Sequence, residues 1–345
     1  MNEQLVAVAR GDRVDAVSDE LIRAAAAEGL TGLLARAATS PPRELLMQSM
    51  ALEARATSML DELTRIAARF RDAGIRMLAF KGPILSQQLY GSATIRTFSD
   101  LDLIVDRRDA TPAESLLRDC GYRAMEPLRR SEAKTNRQFA GQALFVNDEN
   151  RVLLDVHTRF SNAQFPIRIT FDDAWRRRAD VASIATLGDV DLILTTCSHA
   201  AKHLWHKLEF LSQITMLTRR DVDWKEVDAC AIKARVARQV GLSFLLARDL
   251  LDVAPPPLPR CLARAATTFD RVKTLVATNH ERRSDATGRD LFLLLDSKRD
   301  VLRSLAFAAL VPTHADWQRR HVPAPLHWLL RPFRLLRRRI FDGGR

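Results

Sequence analysis

Residues 98–105, FSDLDLIV, constrain the fold of this chain more than any other segment. The apolar run 101–105 has the length of a buried strand, with Asp100 directly before it and Asp102 within it, two positions apart. Side chains at i and i+2 of a strand point to the same face, so the two carboxylates should converge. The residues expected to face a core are Leu101, Leu103 and Val105. Because ionised carboxylates repel each other, the pair indicates a cation site, with a solvated pair at an exposed strand end as the alternative.

A third carboxylate, Asp155, lies inside the apolar run 153–157, LLDVH. An aspartate within such a run is costly to bury without a partner. If its strand pairs beside the strand of Asp100 and Asp102, the three carboxylates form one site. Asp155 would then act as a metal ligand or as a general base, and a capping or structural aspartate is the alternative. Oxygen ligands of this kind suit Mg²⁺ or Mn²⁺, which can clamp a triphosphate for in-line displacement.

The turn formed by Lys81 and Gly82 lies between an apolar strand at 76–80 and a helix that Pro83 opens. Glycine lets a phosphate approach the backbone, and the helix N-terminus adds unpaired N–H groups. Lys81 contributes a direct positive charge. A plain strand-to-helix turn with a solvated lysine is the alternative interpretation.

The order of elements predicts an α+β protein with a mixed sheet followed by a helical part. Short helices with breaks at Gly11, Gly29 and Gly32 occupy 1–42, and a long helix over 43–73 ends at Gly74. Strands at 76–80 and 101–105, a helix at 109–119 and a hairpin at 143–157 follow. Beyond 166 the spacing predicts helices at 189–217, 223–240, 241–251 and 261–276. The expected divisions are 1–42, 43–165, 166–310 and a basic tail at 311–345.

The net charge of +11 favours anionic partners such as nucleoside triphosphates, nucleic acid or acidic lipid. Between residues 321 and 345, six arginines stand against a single aspartate, so the tail is the most basic part of the chain. Four scattered cysteines form no CxxC pair, which argues against a disulfide framework or a thiolate zinc site. The N-terminus lacks an apolar leader and no run is long enough for a membrane span, so a cytoplasmic location is expected.

The motifs taken together resemble the uncharacterised nucleotidyltransferase family of bacteria, within the DNA polymerase beta-like nucleotidyltransferase superfamily. The resemblance covers roughly residues 40 to 340. The segments that carry it are Phe80-Lys81-Gly82-Pro83, Leu89-Tyr90-Gly91, Arg96, Ser99-Asp100-Leu101-Asp102-Leu103, Asp155-Val156-His157, His199-Ala200-Ala201-Lys202-His203 and Asp223-Trp224.

The resemblance implies a nucleotidyltransferase core over 43–165 that moves a nucleotide from an NTP, with ATP as the preferred donor, to a hydroxyl acceptor with release of pyrophosphate. It implies that Asp100, Asp102 and Asp155 are catalytic and hold Mg²⁺ or Mn²⁺. The implied nucleotide-binding residues are Lys81, Gly82, Arg96, Ser99, Lys202 and His203. Two departures stand out: Pro83 removes an N–H that relatives offer to phosphate, and Leu211-Ser212-Gln213 lacks an aspartate found in many of them.

His199, His203 and His206 lie at i, i+4 and i+7 of one predicted helix. A shared zinc ion is disfavoured because no HExxH arrangement and no suitably spaced cysteine accompany them. The remaining interpretations are a patch that faces the nucleotide and a purely structural helix.

The acceptor class stays open between a protein, a sugar, a peptide and an RNA end. The basic tail could be a solvated docking helix or could lie on an anionic membrane surface, and nucleic acid is less favoured because few aromatics interrupt it. A catalytically silent nucleotide-binding or scaffold protein of the same fold is the alternative function.

Overall fold

The computed structural model describes residues 2–125, 141–161, 165–282, 285–286, 288–311, 326 and 328–332. The fold is α+β, as expected from the sequence. The helices are α1 Glu3–Arg10, α2 Asp19–Ala27, α3 Thr31–Ala37, α4 Arg43–Asp72, α5 Gly82–Tyr90, α6 Ala110–Asp119, α7 Phe171–Arg176, α8 Asp189–Lys202, α9 Leu208–Thr218, α10 Trp224–Ala234, α11 Ala237–Leu251, α12 Pro259–Ala266, α13 Phe269–Arg282, α14 Leu291–Leu294 and α15 Lys298–Leu310. The strands are β1 Met77–Ala79, β2 Leu101–Val105, β3 Tyr122–Ala124, β4 Gln142–Asn147, β5 Leu153–His157, β6 Ala179–Val181 and β7 Ile184–Thr186.

The long helix, the strand after it and the hairpin form where the sequence predicts them. α4 ends at Asp72, and Gly74 follows it with φ +69°, a conformation that glycine adopts at little cost. The turn of the β4–β5 hairpin is closed by Asn147, whose side chain accepts hydrogen bonds from the backbone N–H groups of Glu149 and Asn150.

Within the described residues the strands form one mixed sheet in the order β3-β4-β5-β2-β1-β7-β6. β2 and β5 pair in parallel at its centre, with Asp102 directly opposite Asp155. β1 lies antiparallel to β2 on the other side. The pairing that was required for a shared carboxylate site is therefore present.

The last two strands, β6 and β7, come from beyond residue 165 and were not predicted. β7 pairs in parallel with β1, and the Thr186 hydroxyl donates a 2.6 Å hydrogen bond to the carbonyl of Ala79. The sheet thus continues into the segment that was expected to be helical.

The helix predicted over 189–217 is wrong in its continuity, because the chain breaks between α8 and α9. Leu204 and Trp205 have positive φ there, and the buried Trp205 indole donates to the Ser243 hydroxyl at 3.1 Å. The chain gives up helical hydrogen bonds at this break, and the Trp205 side chain is buried instead. Such a tertiary contact is not visible in the periodicity of the sequence.

Gly32 was wrongly predicted as a helix break, and the predicted division between residues 240 and 241 falls inside a helix. Gly241 lies inside α11, and the preceding break falls at Arg235, which has φ 59°. Gly32 lies inside α3. A Cβ on Gly241 would meet the Cys261 carbonyl oxygen at 2.2 Å, and one on Gly32 would meet that of Ile95 at 2.4 Å. Because they lack a Cβ, both glycines allow another segment of the backbone to pack closely against their helix.

Buried apolar residues cover both faces of the sheet. Leu101, Leu103 and Val105 pack in one cluster with α4, as expected, while Leu78 and Ile104 pack in another with α8 and α11. The site face of β2 and β5 therefore lies against the helical part. In the described part of the chain, no helix has the length and apolar character to cross a membrane. Most of the basic tail predicted at 311–345 lies outside the described residues.

Candidate active site

The site begins with the register between β2 and β5. Asp102 and Asp155 are paired across the two parallel strands, and their side chains are 7% and 13% exposed. The apolar neighbours of Asp102 on β2 fill the core on the opposite face. Strand alternation therefore directs the two carboxylates together.

Asp102 shares one carboxylate oxygen between two cationic partners. Its Oδ1 accepts a hydrogen bond from Lys81 Nζ at 2.9 Å and lies 2.9 Å from His157 Nε2. The same histidine nitrogen is 3.2 Å from Asp155 Oδ2. Lys81, His157 and the two carboxylates thus form one compact ionic cluster.

The charges in the cluster shift one another. Burial raises the pKa of Asp102, but the charges of Lys81 and His157 outweigh burial and hold that pKa well below its usual value. Burial lowers the pKa of His157, but hydrogen bonds to Asp102 and Asp155 raise it overall. The pKa of Asp100 is raised by burial and by the negative charge of Asp102. Asp102 is therefore ionised, and proton uptake is eased at Asp100 and His157.

The donor atoms fit a divalent cation. One possible ligand atom each from Asp102, Asp155 and His157 lie within 4.8 Å of one another. Asp155 Oδ1 is buried and has no hydrogen-bond partner among the described residues, an arrangement that is costly unless a ligand satisfies it. Asp100 lies outside this group, just before β2, although its pKa responds to both other aspartates.

A cavity of about 140 Å³ opens beside the cluster. Phe80, Leu85, Phe160 and Ile167 form much of its apolar wall. Its ionisable lining is Lys81, Asp155, His157, His199 and Lys202. Positive and negative groups thus meet in one partly apolar recess, which is a usual form of a small-molecule site.

Lys202, at the end of α8, lines the cavity, and burial together with Lys81 lowers its pKa. His203 turns away from it toward Asp285, with Nδ1 2.5 Å from Oδ1, and stacks on Phe210 at 5.6 Å between ring centroids. Burial also lowers the pKa of His199 well below its ordinary value. Among the described residues, the three histidines of this region form no group with metal-ligand spacing.

Gly82 and Ser99 lie at the edge of the site. Gly82 has φ +57° at the start of α5, and a Cβ there would lie 3.2 Å from the carbonyl oxygen of Asp100. Glycine therefore lets the Lys81 turn pack against the loop that carries Asp100. The Ser99 hydroxyl is exposed and donates to Asp100 Oδ1 at 3.2 Å.

Arg96 does not join the cluster. Its Nε donates to Glu209 Oε1 at 3.0 Å, and both side chains are nearly buried. Arg96 thus connects the loop before β2 to helix α9. The phosphate contact expected of Arg96 stays a prediction.

Sequence reasoning gave His157 no role of its own at the site, and it left His199 between a nucleotide-facing patch and a purely structural helix. His157 lies two positions after Asp155 on β5, so the spacing that singled out Asp100 and Asp102 could have found it. His199 precedes His203 by one helical turn, and only the break after α8 decides which of the two lines the cavity.

The sequence matches a known family of proteins. The model of the uncharacterised nucleotidyltransferase family matches residues 15–252, more than half of the chain. The solution structure of the antibiotic-resistance factor ANT(2'')-Ia is similar with a TM-score of 0.36 and 16% identity, over 52% of this chain and 94% of that one. Curated proteins give no match. The family match defines an enzyme of the nucleotidyltransferase class. Within that class, the chain belongs to the uncharacterised nucleotidyltransferase family.

Proposed function

We propose that this enzyme transfers a nucleoside monophosphate, AMP in the first instance, from an NTP to a hydroxyl acceptor and releases pyrophosphate. The observation that carries the proposal is the parallel register that sets Asp102 opposite Asp155, whose Oδ1 is buried without a partner. A pair of aspartates in neighbouring strands beside a basic cavity suits a polyanionic, cation-bound substrate.

Asp102 and Asp155, with Asp100 beside them, would hold the Mg²⁺ or Mn²⁺. When bound, such an ion neutralises charge on the triphosphate and polarises the phosphorus that is attacked. The possible ligand atoms are carboxylate oxygens and one imidazole nitrogen. Mg²⁺ and Mn²⁺ both prefer carboxylates, so the aspartates are the expected ligands of either ion.

Lys81 is released from Asp102 in this proposal and turns toward the triphosphate, where its charge is again compensated. Gly82 offers backbone N–H contact to the same phosphates, and Lys202 approaches them from the α8 side of the cavity. Ser99 and His203 are assigned to the rim of the nucleotide site. Arg96 is assigned to the positioning of the Asp100 loop through Glu209.

Asp155 accepts the proton of the acceptor hydroxyl. The acceptor oxygen forms a bond to the α-phosphorus, and the bond from that phosphorus to the oxygen of the β-phosphate breaks. Pyrophosphate leaves with the electron pair of the broken bond. Because strand pairing fixes the carboxylates before substrate arrives, the site contributes mainly by positioning and by charge.

The test is incubation of the protein with each α-labelled NTP, Mg²⁺ or Mn²⁺ and a cell lysate. The variants Asp100→Asn, Asp102→Asn and Asp155→Asn are compared with Asp119→Asn, an exposed control on α6. We expect label on an acceptor with the wild type and the control, and none with Asp102→Asn or Asp155→Asn. The labelled species distinguishes a protein, a sugar, a peptide and an RNA end.

Full transfer by the Asp102→Asn/Asp155→Asn double variant would overturn the mechanism. Metal-dependent nucleotide binding without transfer by the wild type would instead favour the silent nucleotide-binding protein. When vesicles of anionic lipid are added to the same incubation, label recovered with the vesicles would support an acceptor or a tail contact at a membrane surface.

A further inference from the structure

A second pocket, of about 530 Å³, lies along the same pair of parallel strands. It begins where β2 and β5 end, and its walls come from the residues that follow each strand and from residues 166–172. Three arginines line it: Arg107, Arg108 and Arg159. It shares Phe160, Ser161 and Ile167 with the cavity of the candidate active site. The two spaces are thus separated by a wall only a few side chains thick.

The acidic groups of this pocket are already compensated. Asp106 binds Arg108 through two hydrogen bonds from the guanidinium, and Arg76 lies 3.7 Å from it. Asp172 is 2.8 Å from Arg76 and 3.2 Å from Arg108. Two arginines and two aspartates therefore form a neutral group at one end of the pocket.

Arg107 and Arg159 remain without a carboxylate partner among the described residues. Partial burial lowers the pKa of Arg159, and the positive charges of Arg107 and Arg303 lower it further. Guanidinium groups stay protonated under all ordinary conditions, so the like charges of these two exposed arginines repel each other, and no carboxylate among the described residues pairs with either. An anion between them would remove the repulsion.

The position of the pair separates it from the carboxylate cluster. Arg107 follows Asp102 by five residues and Arg159 follows Asp155 by four. In extended chain these steps place the arginine backbones up to about 13–18 Å from the paired aspartates. Arg107 and Arg159 line the second pocket only, whereas Asp155 lines the first cavity only, so a group bound between the two arginines is distinct from the phosphorus that the carboxylates serve.

We propose that the pocket between Arg107 and Arg159 binds a phosphate group carried by the acceptor, so that the acceptor of nucleotide transfer is itself a phosphorylated compound. The identification of the bound compound as the acceptor rests on the proposed function. The phosphate site itself rests on the lining of the pocket alone. Phosphate suits paired guanidinium groups because their planar N–H forks match its oxygens. Thr158 and Ser161 add hydroxyl groups to the lining.

The experiment is a ³¹P NMR titration of the full chain with inorganic phosphate and, separately, with a phosphate monoester. Wild type is compared with Arg107→Ala/Arg159→Ala, with Arg107→Lys/Arg159→Lys and with Lys81→Ala. Arg23→Ala, an exposed arginine of α2, is the matched control. Circular dichroism and Tm report whether each variant is folded.

We expect phosphate binding at least tenfold weaker in the double alanine variant and unchanged in Arg23→Ala. Lys81→Ala should lose only the phosphate that binds in the first cavity and keep the binding that the double alanine variant loses, because Lys81 belongs to that other cavity. The double lysine variant should fold and bind with intermediate strength, since charge is kept and the forks are lost. Equal binding by the wild type and both double variants would overturn the proposal, as would tighter binding of a dicarboxylate than of phosphate.

The acceptor part is tested with a lysate treated with phosphatase, which is then removed before labelled NTP is added. Loss of acceptor labelling, with phosphate binding intact in Asp102→Asn/Asp155→Asn, supports the proposal. Labelling that persists after this treatment contradicts it without affecting the proposed transfer. A wild type that binds phosphate at Arg107 and Arg159 but never transfers a nucleotide would overturn the proposed function and the acceptor assignment, and would leave the phosphate site.

Discussion

Lys81 donates a hydrogen bond to Asp102 Oδ1, a carboxylate oxygen that could bind a divalent cation. Lys81 Nζ and His157 Nε2 both lie 2.9 Å from Asp102 Oδ1. Cation binding must displace at least part of this pairing. Free protein should therefore hold the metal weakly until a triphosphate offers Lys81 another partner.

We predict that Lys81→Met binds Mn²⁺ several-fold more tightly than the wild type in the absence of nucleotide, because the competing ammonium is gone. The same variant should bind NTP more weakly, since a phosphate contact is lost. Mn²⁺ binding measured by electron paramagnetic resonance and nucleotide binding by calorimetry check the two effects. Lys225→Met, an exposed lysine on α10, serves as control. Unchanged Mn²⁺ affinity would show that Lys81 does not compete.

Arg96 and Glu209 form a nearly buried ion pair across 113 residues of sequence. Removal of one partner leaves the other charge buried, which typically costs about 3–5 kcal/mol. We predict that Arg96→Gln lowers the free energy of unfolding by about 3 kcal/mol in urea titrations and leaves the KM for NTP little changed.

The matched control for Arg96 is Arg123→Gln. Arg123 pairs with Asp148 at the surface, where solvent screens the interaction, so stability should hardly change. A raised KM for NTP in Arg96→Gln with unaltered stability would restore the phosphate contact that the sequence resemblance implies.

Asp102, Asp155 and Lys81 could be predicted as site residues from the sequence, because each lies in or directly after an apolar run that is typical of a strand. The sequence did not predict His157 as a partner of both aspartates, although its spacing was available. The role of Arg96 could not be inferred, because Glu209 joins it only through the packing of α9 on the loop before β2.

At the scale of elements, several helices begin against a carboxylate supplied by another segment. Glu28 accepts from the N–H of Leu208 at the start of α9, and Asp296 accepts from that of Arg238 at the start of α11. Asp228 of α10 accepts from the N–H of Cys261 in the first turn of α12. Each contact satisfies a free N–H and places negative charge at the positive end of a helix.

Asp228 gives a pH-dependent prediction. Burial raises its pKa, but hydrogen bonds from Arg260 and Cys261 outweigh burial and bring it below the ordinary value of 3.8. A lowered folded-state pKa stabilises the protein above pH 3.8, and this contribution is lost as the pH falls through the folded-state pKa. Asp228→Asn should lower the free energy of unfolding by about 1–2 kcal/mol at pH 7.

The difference between wild type and Asp228→Asn should shrink as the pH is lowered from 5 toward 3. Urea unfolding at a series of pH values measures it, with Asp119→Asn as an exposed control. A difference that stays constant down to pH 3 would mean that the charge of Asp228 contributes nothing.

Gly241 tests whether helix propensity or packing decides stability within α11. Propensity alone would make Gly241→Ala stabilising by about 1 kcal/mol. The added Cβ would instead lie 2.2 Å from the Cys261 carbonyl oxygen and 2.8 Å from the Ala265 Cβ, so α11 and α12 must separate. We predict a loss of about 1–3 kcal/mol, measured by urea unfolding, and a gain in stability would contradict the close packing.

The elements that the sequence predicted well are the long amphipathic ones, such as α4, and those closed by turn residues, such as the β4–β5 hairpin. The elements it missed are short or depend on distant partners. β6 and β7 have three residues each, too few for a readable alternation. The break between α8 and α9 depends on Trp205, whose partner Ser243 is 38 residues away.

For the whole molecule, β7 ties the sheet to the helices that follow it. Through Thr186 it donates to the Ala79 carbonyl, and the apolar face of β1 and β2 packs on α8 and α11. The expected division at residue 165 therefore cuts through one sheet and one core, although the boundaries themselves remain a prediction.

We predict that a fragment limited to residues 43–165 does not fold, because it leaves Leu78 and Ile104 uncovered and β1 without β7. The intact chain should show a native near-ultraviolet circular dichroism spectrum that the fragment lacks. A fragment that unfolds cooperatively on its own would establish 43–165 as an independent domain.

In the described part of the chain, the two outer strands of the sheet are β3 and β6, each only three residues long. A strand at the rim exposes N–H and C=O groups that another chain can pair with, and such pairing seeds aggregation. Three residues provide too few of these groups to template a neighbour. The candidate site thus lies on the central, five-residue strands β2 and β5. The short outer strands limit pairing with another chain when the protein is concentrated.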